Sequence, residues 1–298
     1  MPRSTREIRR RINTIRNTQQ ITRAMEMVSV AKLRRAQGQV LSARPYADQL
    51  GQVLRRLLAD PRLLRTPGVD PVLVHGRPGP VARLVYVVIT ADRGLAGGYN
   101  VNLIRFAMSV LDREERPYQL ICIGRKGRDF FARRGYPLFA EITGLNDTID
   151  FPVAHRLSRR LVSLLEDGTA DEVSVIYSRF LGPGRERPTV EKLLPLDRMA
   201  GEVTAEAAGE TIYVPSRAAL LRLLLPRIVD AEVYRILLEA KASEHGARMA
   251  AMHNATENAE ELIDTLQLSY NKARQAAITK ELAEIVGGSE ALTQGGGQ

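Results

Sequence analysis

The chain has no tryptophan, and its 298 residues include only six phenylalanines, nine tyrosines and one cysteine. With so few rings the interior must be built from aliphatic side chains, and the 44% hydrophobic content is ordinary for a folded globular protein. The lone thiol, Cys122, excludes an internal disulfide and a cysteine zinc cluster, and that usage fits a reducing, cytosolic compartment. No apolar run reaches the roughly 18 residues needed to cross a bilayer. The arginine-rich start resembles an organelle-targeting segment only superficially. Glu7 and Glu26 fall inside it, and neither an apolar core nor a small-residue cleavage site follows, so it reads as mature structure.

Recognisable catalytic groups are also missing. His75, His155, His245 and His253 contain no i,i+4 pair, and neither G-x-S-x-G nor C-x-x-C occurs. The adjacent carboxylates Glu114-Glu115 and Glu260-Glu261 read as solvated faces rather than a general acid and base.

Positive charge is present and unevenly placed. The chain carries +9 overall, but residues 1–56 hold thirteen Arg or Lys against Glu7, Glu26 and Asp48, a local +10 that leaves −1 for the rest. This asymmetry calls for an acidic partner at the N-terminal segment, whether protein, anionic lipid or nucleic acid. Arg9-Arg10-Arg11 and Arg34-Arg35 raise the possibility of DNA binding. A basic zipper, however, would run one compact basic block into a leucine heptad, whereas these arginines continue at intervals to Arg55-Arg56. Nucleic acid is not the expected partner.

Patterning divides the chain into six parts. Residues 1–58 show helical spacing, with Ile8, Ile12, Ile15, Met25, Val28, Leu33, Ala36 and Val40 on one stripe and Pro45 as the only proline from Thr5 to Leu58. Residues 59–80 are broken by five prolines and three glycines and read as an exposed linker. Residues 81–197 alternate apolar runs with helical stretches. The runs are Leu84 to Ile89, Leu120 to Ile123, Tyr136 to Ile142, Val173 to Tyr177 and Thr189 to Leu194, which predicts a mostly parallel sheet with helical crossovers, a Rossmann-like α/β domain. Residues 198–216 form a connector with a short strand-like Thr211 to Val214. In 217–286 apolar positions from Leu220 to Ala277 step mostly by three, four or seven, the mark of a coiled-coil or bundle helix of roughly 105 Å at 1.5 Å per residue. Pro226 should kink that helix or mark its true start. Gly287-Gly288 should stop it and leave 287–298 as a disordered tail. Two long terminal helices flanking one compact domain satisfy each other's apolar faces only by lying antiparallel. The expected fold is therefore α/β plus a long antiparallel coiled coil, a rod with a knob, and the alanine-rich C-terminal seam makes the rod slim.

One segment looks like a site. Asp92-Arg93-Gly94-Leu95-Ala96-Gly97-Gly98-Tyr99-Asn100 follows the first strand and opens a helix, where α/β folds bind ligands. Its glycines match neither G-x-G-x-x-G nor a P-loop, and no Lys-Ser/Thr follows. Phosphate binding competes here with a tight glycine turn in which Asn100 caps the helix. Gly124-Arg125-Lys126-Gly127 reads as a second strand-to-helix turn.

Four stretches carry a resemblance to a known family. They are Asn17 to Val28, Asp92 to Asn100, Ala242-Ser243-Glu244-His245-Gly246-Ala247-Arg248-Met249, and Tyr270-Asn271-Lys272-Ala273-Arg274-Gln275-Ala276-Ala277-Ile278-Thr279. In this order they span nearly the whole chain and resemble the gamma subunit of the rotary, proton-translocating F-type ATP synthase. Ala96 stands where many members carry cysteine, and the cysteine-bearing regulatory insert of the chloroplast type is lacking, so thiol control is not expected.

The resemblance implies a non-catalytic central rotor shaft without a cofactor or metal of its own, peripheral on the cytoplasmic face of a bacterial cell membrane. Its terminal helices would enter a head of three alpha and three beta subunits, and its knob would rest with the epsilon subunit on the ring of c subunits. By position in the motifs, Arg274, Gln275 and Thr279 would be grasped by a beta-subunit loop. Met25 and the Asp92 to Gly98 loop, including Arg93, would pass beta's acidic lever. Tyr213 would touch the c ring and epsilon. The rival readings are a nucleotide-dependent enzyme built on the α/β domain and a basic coiled-coil adaptor for membranes or nucleic acid.

Overall fold

The computed structural model describes residues 5–199 and 213–295. The first helix, α1, runs over Thr5–Leu58 and contains Pro45. A 3-10 turn at Pro61–Arg65 and a short helix α2 (Val72–His75) lead to the sheet. There β1 (Leu84–Ile89), α3 (Tyr99–Leu111), β2 (Tyr118–Ile123), α4 (Arg125–Arg133), β3 (Leu138–Ile142), α5 (Phe151–Glu166), β4 (Glu172–Gly182) and β5 (Arg185–Leu194) come in turn. The last helix, α6, spans Arg217–Gly295. The chain divides into two compact units, Val28–Ala250 and a second made of Met1–Met27 with Ala251–Gln298.

The central unit is organised by its sheet, ordered β3-β2-β1-β4-β5. β1 pairs in parallel with both β2 and β4, β2 pairs in parallel with β3, and β5 closes one edge as the antiparallel partner of β4. Strand alternation sorts side chains onto two faces. Val85, Val87, Ile89, Ile121, Ile123, Val175 and Tyr177 join α1, α2, α5 and α6 in the larger core. Leu84, Tyr86, Val88, Leu120, Cys122 and Ile176 pack under α3 and α4 in the smaller one. On α1 the buried or half-buried positions Leu33, Ala36, Val40, Ala43, Ala47, Leu50, Leu54 and Leu57 step strictly by three and four. That period of about 3.5 residues keeps one seam facing its partners along the helix.

The terminal unit is a helix pair. Ile8 and Ile12 pack with Ile263 and Leu266, Thr22 hydrogen-bonds Thr256 at 2.8 Å, and Glu26 meets His253 at 3.0 Å. Rising numbers on α1 match falling numbers on α6, so the two helices of this pair run antiparallel. Its apolar seam is thin and gives way to polar contacts toward Glu26.

Several expectations are corrected. Residues 59–80 are not an exposed linker: Val69, Leu73 and Val74 are buried in the larger core. Prolines forbid long regular elements there, but Asp60 accepts from the Arg62 amide and Asp70 from the Val72 amide, and these short capped turns direct the apolar residues inward. Asn100 does not cap α3. It lies inside the helix, and its side-chain oxygen accepts from the Ala91 amide at 3.0 Å. Pro226 lies inside α6 and does not mark its start, and the helix passes through Gly287-Gly288 to Gly295. Glycine weakens a helix by about 1 kcal/mol but, unlike proline, keeps its amide donor. Val28 is exposed and Ser29 is buried in its place, because the α1 seam runs through polar positions here. On α6, Ile263 is buried and its neighbour Leu262 is exposed. Residues 200–212, most of the connector together with Thr211 and Ile212 of its strand-like end, lie outside the described residues, as do 296–298 of the tail.

Candidate functional site

In an open α/β sheet the ligand crevice lies beyond the carboxyl ends of the strands, where chain crossovers change direction. Here that point is beside β1, which has β2 on one side and β4 on the other. The space is filled. Leu237, Ala240, Lys241 and Glu244 of α6, with Leu145 and Ile149, close over Ile89, Thr90, Ile123 and Gly124 and leave a cavity of about 10 Å³. That is at the limit of holding one water.

The backbone donors at the start of α4 are also engaged. The Arg125 amide donates to Asp92 Oδ1 at 3.0 Å, the Lys126 amide to the Ala91 carbonyl at 3.1 Å, and the Gly127 amide to Thr90 Oγ1 at 2.8 Å. The second carboxylate oxygen of Asp92 accepts from the Gly144 amide at 3.0 Å. Gly124 and Gly127 are needed for close approach rather than for a ligand. A Cβ at Gly124 would lie 2.1 Å from the Thr90 carbonyl oxygen, and one at Gly127 would lie 2.8 Å from Thr90 Oγ1.

What the loop after β1 does is grip α6. Ala91, Ala96 and Tyr99 form a buried cluster with Ala247. The Tyr99 hydroxyl donates to the Ala240 carbonyl at 3.2 Å, and burial pushes its pKa well above the ordinary tyrosine value. Arg248 reaches the Gly94 carbonyl at 3.4 Å and pairs with Glu244 at 2.9 Å. Ser243 donates to the Ser178 carbonyl at 2.8 Å, and a Cβ at Gly246 would stand 3.2 Å from the Gly184 amide nitrogen. The motifs Asp92–Asn100 and Ala242–Met249, far apart in the chain, are therefore one packed unit. His245 is 1% exposed, and burial lowers its pKa against the pull of Glu244, so the imidazole is held neutral.

A second charged cluster lies along β5. Arg235 is bonded to Glu191 at 2.7 Å, to Glu232 at 2.7 Å and to the Tyr177 hydroxyl at 3.3 Å. Burial opposes its charge, but Glu232 and Glu191 together outweigh that and raise its pKa. Arg235, Glu191 and Glu232, together with Asp48, Arg179 and Lys192, line an open, polar cavity of about 580 Å³. Among the described residues no group of His, Cys, Asp and Glu is arranged to hold a metal ion.

A family model described as ATP synthase matches residues 4–292. The ATP synthase gamma chain of Moorella thermoacetica is 51% identical over 291 residues, covering 96% of this chain and 98% of the relative. That of Symbiobacterium thermophilum is 47% identical, covering 98% and 99%. The chain belongs to the ATP synthase gamma chain family. Among solved structures, a chain of the Euglena gracilis mitochondrial ATP synthase, in an assembly of OSCP, F1 and c-ring, matches with a TM-score of 0.69. It covers 99% of this chain and 96% of its own length at 21% identity, and so shows the fold alone. A gamma chain is a non-catalytic subunit of the synthase and belongs to its central stalk.

Of the residues expected to meet other subunits, four are exposed and two are half-buried. In the terminal unit, Arg274, Gln275 and Thr279 are exposed on α6, where the Thr279 hydroxyl donates to the Gln275 carbonyl at 3.0 Å. Met25 is half-buried on α1. In the central unit, Arg93 is exposed at the tip of the glycine loop, and Tyr213 is half-buried against the larger core with the Arg217 guanidinium 5.1 Å above its ring. The gamma-chain signatures thus separate into residues that pack this chain and residues that face outward. Asp230, buried on α6 between His155 and Ser158, was missed entirely from sequence. Its one available signal was a charged residue in an otherwise apolar stretch, Ile228-Val229-Asp230-Ala231.

Proposed function

We propose that the chain is the rotor shaft of a proton-translocating F-type ATP synthase, turning inside a head of three alpha and three beta subunits. Its α/β domain rests with epsilon on the c ring, at the cytoplasmic face of the membrane, as a peripheral component. No described helix is long and apolar enough to cross a membrane, which accords with a peripheral place. The observation that carries the reading is that signature residues go unused by the chain's own core. Ile21, Met27 and Val28 on α1 are more than half exposed, and every side chain from Arg274 to Val286 on α6 is exposed. Apolar signature side chains left in water point to a surface that another protein covers.

The energetics suit a shaft. The arginines at 9, 10, 11, 16, 23, 34 and 35 are exposed. Solvated ion pairs to passing acidic groups are worth about 0 to 1 kcal/mol each, enough to guide and too little to stall rotation. Switching a nucleotide site between tight and open by 10⁴ in population takes about 5.5 kcal/mol of differential contact. Each charge crossing the membrane supplies about 2.3 kcal/mol per 100 mV.

Arg274, Gln275 and Thr279 form the grip on beta, with Met25 and Arg93 as passing contacts and Tyr213 as the c-ring and epsilon contact. The test is reconstitution with the remaining subunits, comparing Arg274→Ala, Gln275→Ala with Arg34→Ala, Arg35→Ala. Charge-assisted bonds enclosed by the head are worth about 1.5 to 3 kcal/mol each, so the first pair should lower ATP-driven proton pumping and assembly more than the second. Normal pumping by the tip variant beside a failing Arg34, Arg35 control would refute the assignment of the grip.

A further inference from the structure

A shaft that transmits torque must not slip where it is mounted, and apolar packing alone resists separation better than it resists rotation because it has no direction. The contact face of α6 is smooth in this sense, with Ala240, Ala242 and Ala247 buried on it. Between Ile236 and Ala247 every residue but Lys241 is buried, so the helix passes through the central unit like an axle through a hub.

Five positions on α6 make seven polar contacts across that mounting. Asp230 Oδ2 meets His155 Nδ1 at 2.9 Å, and Asp230 Oδ1 accepts from the Ser158 hydroxyl, both on α5. Arg235 holds Glu191 on β5 and the Tyr177 hydroxyl on β4. Tyr99, at the start of α3, donates to the Ala240 carbonyl. Ser243 donates to β4 at the Ser178 carbonyl, and Arg248 donates to the Gly94 carbonyl in the loop after β1.

Their positions around the helix decide what they can do. At about 100° per residue, and measured from Asp230, Arg235 lies near 140°, Ser243 near 220°, Ala240 near 280° and Arg248 back near 0°. The anchors therefore surround α6. A turn of the helix in either direction misaligns bonds on every side, and hydrogen bonds weaken steeply with misalignment. Asp230 is 2% exposed, so its carboxylate cannot exchange protein partners for water without a large penalty. On the other helix, Lys32 pairs with Asp147 at 2.6 Å, an ion pair more than one-third exposed on both sides.

We propose that Asp230 and Arg235 are positioning residues that fix the rotational setting of α6 in the α/β domain, so that torque on the domain turns the helix without slip. The proposal rests on the reading of the chain as a rotor shaft. The test uses heads assembled from this chain with alpha and beta subunits and fixed to a surface. A bead is attached through Arg105→Cys, an exposed position on α3. The native Cys122 is buried, with its thiol pushed up to about 12, and stays unlabelled.

The wild type should step with ATP. Absence of rotation there would overturn the rotor reading and this proposal with it. In Asp230→Ala, Arg235→Met the angular variance during pauses should rise roughly 1.5- to 2-fold, because two of the five anchoring positions acting in parallel are gone, while ATP turnover stays unchanged. Asp230→Asn keeps an acceptor for Ser158 and should return the variance close to wild type. If the double variant does not assemble, Arg235→Met alone is read in the same way. Wild-type variance in a variant that assembles and hydrolyses ATP, even with a lowered unfolding temperature, would show that these contacts only hold the fold.

Discussion

The same two helices live in two environments. In the central unit α1 and α6 bury Leu33, Leu54, Leu57, Leu221, Ile228 and Leu237 in one continuous core with the sheet. In the terminal unit the buried apolar side chains are Ile8, Ile12, Met252, Ala259, Ile263 and Leu266, with hydroxyl and histidine contacts between the helices. Stability is therefore concentrated where the helices meet the α/β domain. The terminal unit gives up apolar burial and keeps a polar, exposed surface. A long helix of that kind is stabilised by propagation from an anchored end rather than by its own core.

The most direct challenge to this contrast is to cut the same kind of side chain from each unit. Leu237→Ala, at 2% exposure inside the larger core, should cost about 2 to 5 kcal/mol, whereas Ile263→Ala in the thin seam should cost under about 2 kcal/mol. Urea unfolding of the purified chain followed by circular dichroism measures both. Equal losses would mean that the terminal pair is as tightly packed as the core.

A smaller effect should come from His245. Its folded pKa lies below the ordinary 6.5, first because of burial, so the unfolded chain takes up the proton first as pH falls. The contribution to stability is complete above pH 6.5 and is lost as pH drops toward the folded value. The urea midpoint should accordingly decline between about pH 7 and 5.5 in wild type and decline less in His245→Gln. An unchanged slope in the variant would assign the titration to another group.

The smallest effect should come from ending the chain at Val286. α6 has no buried side chain between Arg274 and Val286, so removing residues 287–298 should shift the unfolding free energy of the isolated chain by less than about 0.5 kcal/mol. A larger loss would show that the end of the helix contributes to the terminal pair.

The helix periods, the strand runs and the signature stretches were legible because each is a local pattern: the 3-4 stepping from Leu33 to Val40 and the apolar run from Leu84 to Ile89 need no partner to be read. The packing of residues 59–80 was hidden because proline and glycine announce only what a segment cannot form, not that Val69 and Val74 turn inward. The exposure of Val28 was hidden because the stripe there is carried by Thr22, Glu26 and Ser29, which hydropathy counts as surface.

Two long helices, an α/β domain between them, a basic N-terminal segment and membership of a family could all be read from the chain alone, since composition, period and motif are properties of the amino-acid order. That the glycine loop after β1 clamps a helix instead of a phosphate emerged from the packing. That loop holds α6 through the Gly94 carbonyl and the Tyr99 side chain, and this role depends on what fills the crevice. Here α6, which begins far later in the chain, fills it, and no local pattern encodes which distant segment will arrive there.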